Sequence, residues 1–158
     1  MENIDLKIFL DSYNSPIIYN ICSSDELNFS LNTNEFVISN TDPSYMSGEH
    51  WVAFYKNKKN VVEFFYSFGM LPSYYSLNFQ RFIYQNTENN EFVYNCSQIQ
   101  SNFSNICGLY CLLFYISISE GYSLEHFINS FHNNKKWNDA YCLRSVENIF
   151  HYTFTLQK

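Results

Sequence analysis

Residues 100–119 read QSNFSNICGLYCLLFYISIS, and this stretch decides how the rest of the chain is interpreted. From Cys107 onward it is almost wholly apolar, with the polar pair Ser104-Asn105 ahead of it and Gly121 just beyond its end. Its length and its polar lead favour a buried helix that begins near Cys107. β-propensity alone leaves a strand open.

Cys107 is a candidate nucleophile because of where the predicted helix begins. The free backbone N–H groups and the positive end of the helix dipole stabilise a thiolate, so we expect a lowered thiol pKa there. Gly108 allows a substrate backbone to approach closely. The alternative is that Cys107 is a small core residue, as free cysteines usually are.

His50 is the candidate base. It opens a predicted strand within the segment GEHWVAF at 48–54, which places the imidazole at a strand edge, and Trp51 beside it can exclude water. A single histidine is more often structural, and that interpretation is the one we give to the three others, His126, His132 and His151.

The joint pattern is more specific than any of its parts. The segment 48–54 is followed by Ser-Phe-Gly at 67–69, and then by Gln100 placed seven residues ahead of Cys107-Gly108. This arrangement resembles the adenovirus protease (adenain) family, known from adenoviruses, Maverick/Polinton elements and related large DNA viruses. The related SUMO proteases fit less well, since they usually place the Gln one residue closer to the Cys.

The resemblance implies an α+β protein with the papain-like cysteine protease fold of the adenain/SUMO-protease type. A mixed central sheet would be flanked by helices, with the nucleophile at a helix N-terminus. Cys107 would attack the scissile carbonyl, and His50 would form an ion pair with it and protonate the leaving amine. The Gln100 amide and the Cys107 backbone N–H would hold the oxyanion. The implied substrates are viral precursor proteins of capsid or core.

One position departs from the family pattern. The relatives carry Asp or Glu two residues before Phe-Gly, where this chain has Tyr66. A carboxylate there favours the charged imidazole, whereas a phenol is neutral near pH 7 although its oxygen still accepts a hydrogen bond. Glu63 is the nearest acid, but three residues along a strand it should face the other side unless a bulge intervenes. We therefore expect Tyr66 to orient His50.

Two other functions stay open beside an active endopeptidase. Because Tyr66 replaces the usual acid, the chain is alternatively a weakened pseudo-protease that binds a polyprotein or a partner without cutting it. Because sister families share the fold, it is alternatively an isopeptidase for a ubiquitin-like modifier.

Charge and cysteine usage limit the partners. The formal net charge of −6 gives no support for a nucleic-acid surface. Adenovirus proteases use a peptide and DNA as cofactors, so the resemblance leaves an activating peptide open while the charge does not support DNA. Five cysteines without a secretion signal favour free thiols, and their spacing does not suit a metal site. We expect no metal, no cofactor and no membrane span.

These features predict an intracellular, soluble protein, in the host nucleus or cytoplasm and in the virion if it is viral. We expect one protease domain over residues 1–158, because no linker or repeat divides the chain. The predicted elements, in chain order, are a helix at 3–12, strands at 17–21 and 35–39, a β-hairpin of 50–55 with 61–66, a helix at 75–85, a strand at 91–95, and helices at 107–119, 123–132 and 141–153.

Overall fold

A five-stranded mixed sheet forms the centre of the protein, whose computed structural model describes residues 3–89 and 91–156. The strands lie side by side in chain order. The two outer pairs, β1 with β2 and β4 with β5, run parallel, whereas β2, β3 and β4 are antiparallel neighbours. The strands are β1 Ile18–Cys22, β2 Glu35–Asn40, β3 Trp51–Lys56, β4 Val62–Phe65 and β5 Phe92–Tyr94.

Helices cover both faces of this sheet, which confirms the predicted α+β, papain-like architecture. The core on one face joins β2, β3 and β4 to α1, α3, α4 and α5, and the core on the other joins them to α2. Helix α3 is buried on nearly all sides, as its apolar sequence predicts. The helices are α1 Asn3–Ser12, α2 Leu77–Asn86, α3 Cys107–Ser119, α4 Leu124–Asn129 and α5 Lys135–Leu156.

Side chains alternate between the two faces of the sheet along β4, so Glu63 and Tyr66 lie on opposite faces. Phe64 and Tyr66 pack into the α2 core, whereas Phe65 packs against α3. Glu63 accepts hydrogen bonds from Asn57 Nδ2 at 2.8 Å and from the Leu124 N–H, at the start of α4, at 3.3 Å. The β3–β4 register runs on without a bulge, so Glu63 points away from Tyr66, as the strand periodicity predicts.

The boundaries of the last two helices differ from the sequence prediction. Helix α4 ends at Asn129, earlier than expected. Helix α5 begins at Lys135 rather than 141, because the side chain of Asn134 accepts hydrogen bonds from the N–H groups of Lys136 at 3.1 Å and Trp137 at 3.4 Å. Such capping by Asn starts a helix at this point. Lys135 and Lys136 therefore lie in the first turn of a helix and not in the loop that we expected.

Candidate active site

The start of α3 meets the start of β3. Cys107, the first residue of α3, is only 4% exposed, and its Sγ accepts a hydrogen bond from the backbone N–H of Trp51 at 3.3 Å. Trp51 directly follows His50 in the chain. The fold thus brings the thiol beside the residue that carries the candidate base, across more than fifty residues of sequence.

Burial raises the pKa of the Cys107 thiol above its ordinary value. The N–H groups of Trp51, Gly108 and Cys107 act in the opposite direction, as expected at a helix N-terminus, but burial outweighs them. The lowered thiol pKa predicted from the sequence is therefore wrong for this state of the protein. The helix position alone does not reveal how deeply the sulfur is enclosed.

Three aromatic rings surround the imidazole of His50. Their centroids lie 5.9 Å (Tyr66), 5.8 Å (Phe68) and 5.9 Å (Tyr75) from that of His50, and all three are steeply inclined to it. Within residues 3–89 and 91–156, no hydrogen bond joins the His50 side chain to Cys107. At rest, the thiol therefore contacts the backbone directly after His50, and the two side chains are not hydrogen-bonded to each other.

The loop before His50 is fixed by backbone contacts. The Thr41 N–H donates to the His50 carbonyl at 2.9 Å. Gly48 has a φ of +76° and lies so close to the Asn40 side-chain amide that a Cβ there would collide with it. The positive φ favours glycine at this point, and a Cβ would force the Asn40 side chain to move. The loop so formed delivers His50 to the first position ahead of β3.

Tyr66 lies against His50 with its side chain fully buried. Its hydroxyl has no hydrogen-bond partner among the described residues, and burial holds its phenol pKa far above the usual range, so the group is neutral. The nearby hydroxyl of Tyr75 donates to Met70 Sδ at 3.6 Å. A neutral, unpartnered hydroxyl thus occupies the strand position where the family pattern has a carboxylate.

Asn95 holds the backbone of Tyr66 from the end of β5. Its Oδ1 accepts the Tyr66 N–H at 2.9 Å and its Nδ2 donates to the Tyr66 carbonyl at 2.6 Å. Asn95 is buried, and its role was not predicted from the sequence. In a chain rich in Asn, no local pattern marks this one residue as special.

Gln100 is fully buried with its amide oriented by neighbours on both sides. Its Oε1 accepts the hydroxyl of Ser67 at 2.6 Å, which fixes Nε2 on the opposite side. Nε2 donates to the Ser104 carbonyl at 2.8 Å and approaches Ser104 Oγ at 3.1 Å. Ser67 belongs to the Ser-Phe-Gly motif, and its contact with Gln100 gives that serine a role that the motif did not reveal.

All five cysteines are free thiols, as predicted, and Cys96 alone among them is exposed. In the described part of the chain, no three His, Cys, Asp or Glu side chains are grouped so that they could hold a metal ion. Among the same residues, no helix is both long enough and apolar enough to cross a bilayer.

Comparisons with known proteins identify the family of the chain. No curated protein matches the chain significantly. The model of the adenovirus endoprotease family matches residues 28–137, more than two thirds of the chain, and the matched segment contains His50, Tyr66, Gln100 and Cys107. The chain therefore belongs to the adenovirus endoprotease family of cysteine peptidases.

Proposed function

We propose that the protein is a cysteine endopeptidase that cleaves precursor proteins of a virus or viral element, with Cys107 as nucleophile and His50 as base. The observation that carries the proposal is the hydrogen bond from the Trp51 N–H to Cys107 Sγ, because it ties the residue after His50 to a thiol at a helix N-terminus. Family membership supports the reaction class, and the contact between the start of α3 and the start of β3 supports the choice of Cys107 and His50.

The raised thiol pKa favours general-base catalysis over a resting ion pair. His50 takes the proton from the Cys107 thiol as Sγ attacks the scissile carbonyl, and the C–N bond breaks as the imidazolium returns that proton to the leaving amine. A water molecule, deprotonated by His50, then hydrolyses the thioester and restores the thiol. Since His50 and Cys107 are not hydrogen-bonded at rest, substrate or an activating peptide must bring them together.

Gln100 and the Cys107 N–H are the proposed oxyanion donors. Ser104 O takes one Nε2 hydrogen of Gln100 at 2.8 Å, whereas the longer contact to Ser104 Oγ, at 3.1 Å, is the one that a substrate oxyanion would replace. Losing one such donor typically costs roughly 10²–10³ in rate.

Tyr66 is the proposed orienting residue for His50. Its hydroxyl is free to bond the imidazole once the ring turns, and the rings of Tyr66, Phe68 and Tyr75 enclose the imidazole. In this proposal the hydroxyl takes the orienting role that a carboxylate has in the family pattern.

The test uses a peptide acyloxymethyl ketone that alkylates an activated thiol. Cys96→Ser serves as the background, because it removes the exposed thiol and leaves four buried ones. We expect labelling at Cys107 in this background, none in the added Cys107→Ala variant, and labelling at least tenfold slower in the added His50→Ala variant. Equal labelling with and without Cys107 would contradict an active enzyme and leave a pseudo-protease that only binds.

The isopeptidase alternative is tested with fusions of a ubiquitin-like modifier to a reporter protein. We expect the enzyme to cleave precursor-derived peptides and to leave these fusions intact. Cleavage of the fusions alone would replace the endopeptidase proposal with an isopeptidase.

A further inference from the structure

The segment around Gln100 is held from α5 by two side chains. Asn138 Nδ2 donates to the carbonyl of Ile99 at 2.9 Å, and Asp139 Oδ1 accepts the N–H of Ser101 at 3.3 Å. These backbone groups flank Gln100 on either side. The contacts span almost forty residues of sequence and begin immediately after the segment that the family model matches.

Asp139 also reaches the helix that carries Cys107. The Tyr110 hydroxyl donates to the same Asp139 Oδ1 at 2.9 Å, and Tyr110 lies one turn after Cys107 in α3. Asp139 is buried at 8% exposure and Tyr110 completely. One carboxylate oxygen thus links the Gln100 segment, α3 and α5, and a buried carboxylate needs such donors to stay in place.

The side-chain amide of Asn138 is also fixed by neighbouring backbone. It donates to the His132 carbonyl at 2.8 Å and accepts the His132 N–H at 2.9 Å, and these two bonds orient the amide that donates to Ile99. On the opposite side, the Ser67 carbonyl accepts the N–H groups of Ile99 at 2.9 Å and Gln100 at 3.2 Å. The Gln100 segment is therefore clamped between the end of β4 and the first turns of α5.

We propose that Asp139, together with Asn138, is a positioning residue that sets the Gln100 amide for the oxyanion. An oxyanion donor works at 2.7–3.1 Å, and a misplacement of about 1 Å costs about 100-fold in rate. Without Asp139, the Ser101 N–H and the Tyr110 hydroxyl lose their common acceptor and the segment loses one side of its clamp. This inference rests on the proposed function, because it assigns a role in the same reaction.

Two reactions of Cys107 separate positioning of Gln100 from reactivity of the thiol. Acylation by p-nitrophenyl acetate builds up charge on a carbonyl oxygen, whereas alkylation by iodoacetamide does not. In the Cys96→Ser background, we expect Asp139→Ala to slow acylation about tenfold and to change alkylation less than twofold. Asp139→Asn keeps the Oδ1 acceptor, so it should acylate within threefold of the parent.

Tyr110→Phe provides a milder variant if Asp139→Ala does not fold. It removes the hydrogen bond to Asp139 and a longer contact, at 3.4 Å, with the Ile99 carbonyl of the same segment. We expect acylation to fall about threefold at unchanged alkylation. Acylation at the parent rate in both variants, or equal slowing of the two reactions, would overturn this proposal alone. A parent that acylates no faster than the added Cys107→Ala variant would overturn the proposed function, and this proposal with it.

Discussion

At Tyr66, a single side chain decides how this site differs from the family pattern. Strand periodicity turns Tyr66 towards His50 and turns Glu63, the acid closest to Tyr66 in the sequence, to the opposite face, so Glu63 is not available to the imidazole. Asn95 satisfies the Tyr66 backbone, while the buried hydroxyl has no partner in the described structure. A buried polar group without a partner is costly, which points to a role beyond packing.

Tyr66→Phe separates that role from packing. We expect the free energy of unfolding to stay the same or to rise by up to about 1 kcal/mol, because no hydrogen bond is lost. Labelling of Cys107 by the peptide probe should slow about tenfold, since His50 loses its orienting hydroxyl. Tyr115→Phe is the matched control, because it removes a buried hydroxyl that donates to the Ile17 carbonyl at 2.9 Å, and we expect it to leave labelling unchanged. Unchanged labelling in Tyr66→Phe would reduce Tyr66 to a core residue.

The sequence predicts the residues of the site whose spacing is local. Gln100 lies seven residues ahead of Cys107, in the loop that leads into α3, and His50 lies within a distinctive short segment. Asn95 and Asp139 were missed because they act on backbone groups 29 and 38 residues away, which no pattern in one chain reveals. The direction of the thiol pKa was also missed, since it depends on enclosure by the whole fold.

Among the elements, the turn after β4 lies between Tyr66 and the segment that leads to Gln100. Gly69 has a φ of +70°, and its N–H donates to the Tyr66 carbonyl at 2.8 Å. A Cβ there would lie 2.6 Å from the Ser97 carbonyl carbon and 2.8 Å from the Gln98 backbone N. The turn thus packs directly on residues 97–98, which connect β5 to Gln100.

Gly69→Ala should therefore lower the free energy of unfolding by more than the backbone strain alone. A left-handed φ costs a non-glycine residue roughly 1 kcal/mol or more, and the collision with fixed backbone adds to it, so we expect a loss of about 2–4 kcal/mol. Gly121→Ala is the control, because Gly121 has a φ of +90° with open space around it and should show the strain alone. Urea unfolding measures both variants. Equal losses would contradict a close contact at Gly69.

Elements built from long apolar runs were the ones predicted well. The hairpin of β3 and β4 and the exact extent of α3 follow from apolar runs bounded by polar turns. The start of α5 was missed because Asn134 caps it within a polar stretch that resembles a loop. Capping depends on one side chain, whereas periodicity is spread over many, so helix ends are harder to predict than helices.

At the scale of the whole molecule, the sheet, α3 and α5 all contribute residues to the candidate site. The sheet supplies Ser67 and His50, α3 supplies Cys107, and α5 supplies Asn138 and Asp139. No single layer holds the site, so loss of packing between layers should impair catalysis before it unfolds the chain. Packing between the layers also buries acidic side chains, among them Glu63.

Glu63→Gln should make stability less sensitive to pH. Burial raises the folded-state pKa of Glu63 above its usual 4.5, so the folded state binds the proton more tightly. The contribution of Glu63 to wild-type stability should therefore fall as pH rises from about 4.5 through that raised pKa, by about 1.4 kcal/mol for each pKa unit that separates the folded and unfolded states. The advantage of Glu63→Gln in urea unfolding should grow over this window. Exposed Glu91→Gln corrects for the lost charge, and a corrected advantage that stays constant or shrinks would contradict the buried carboxylate.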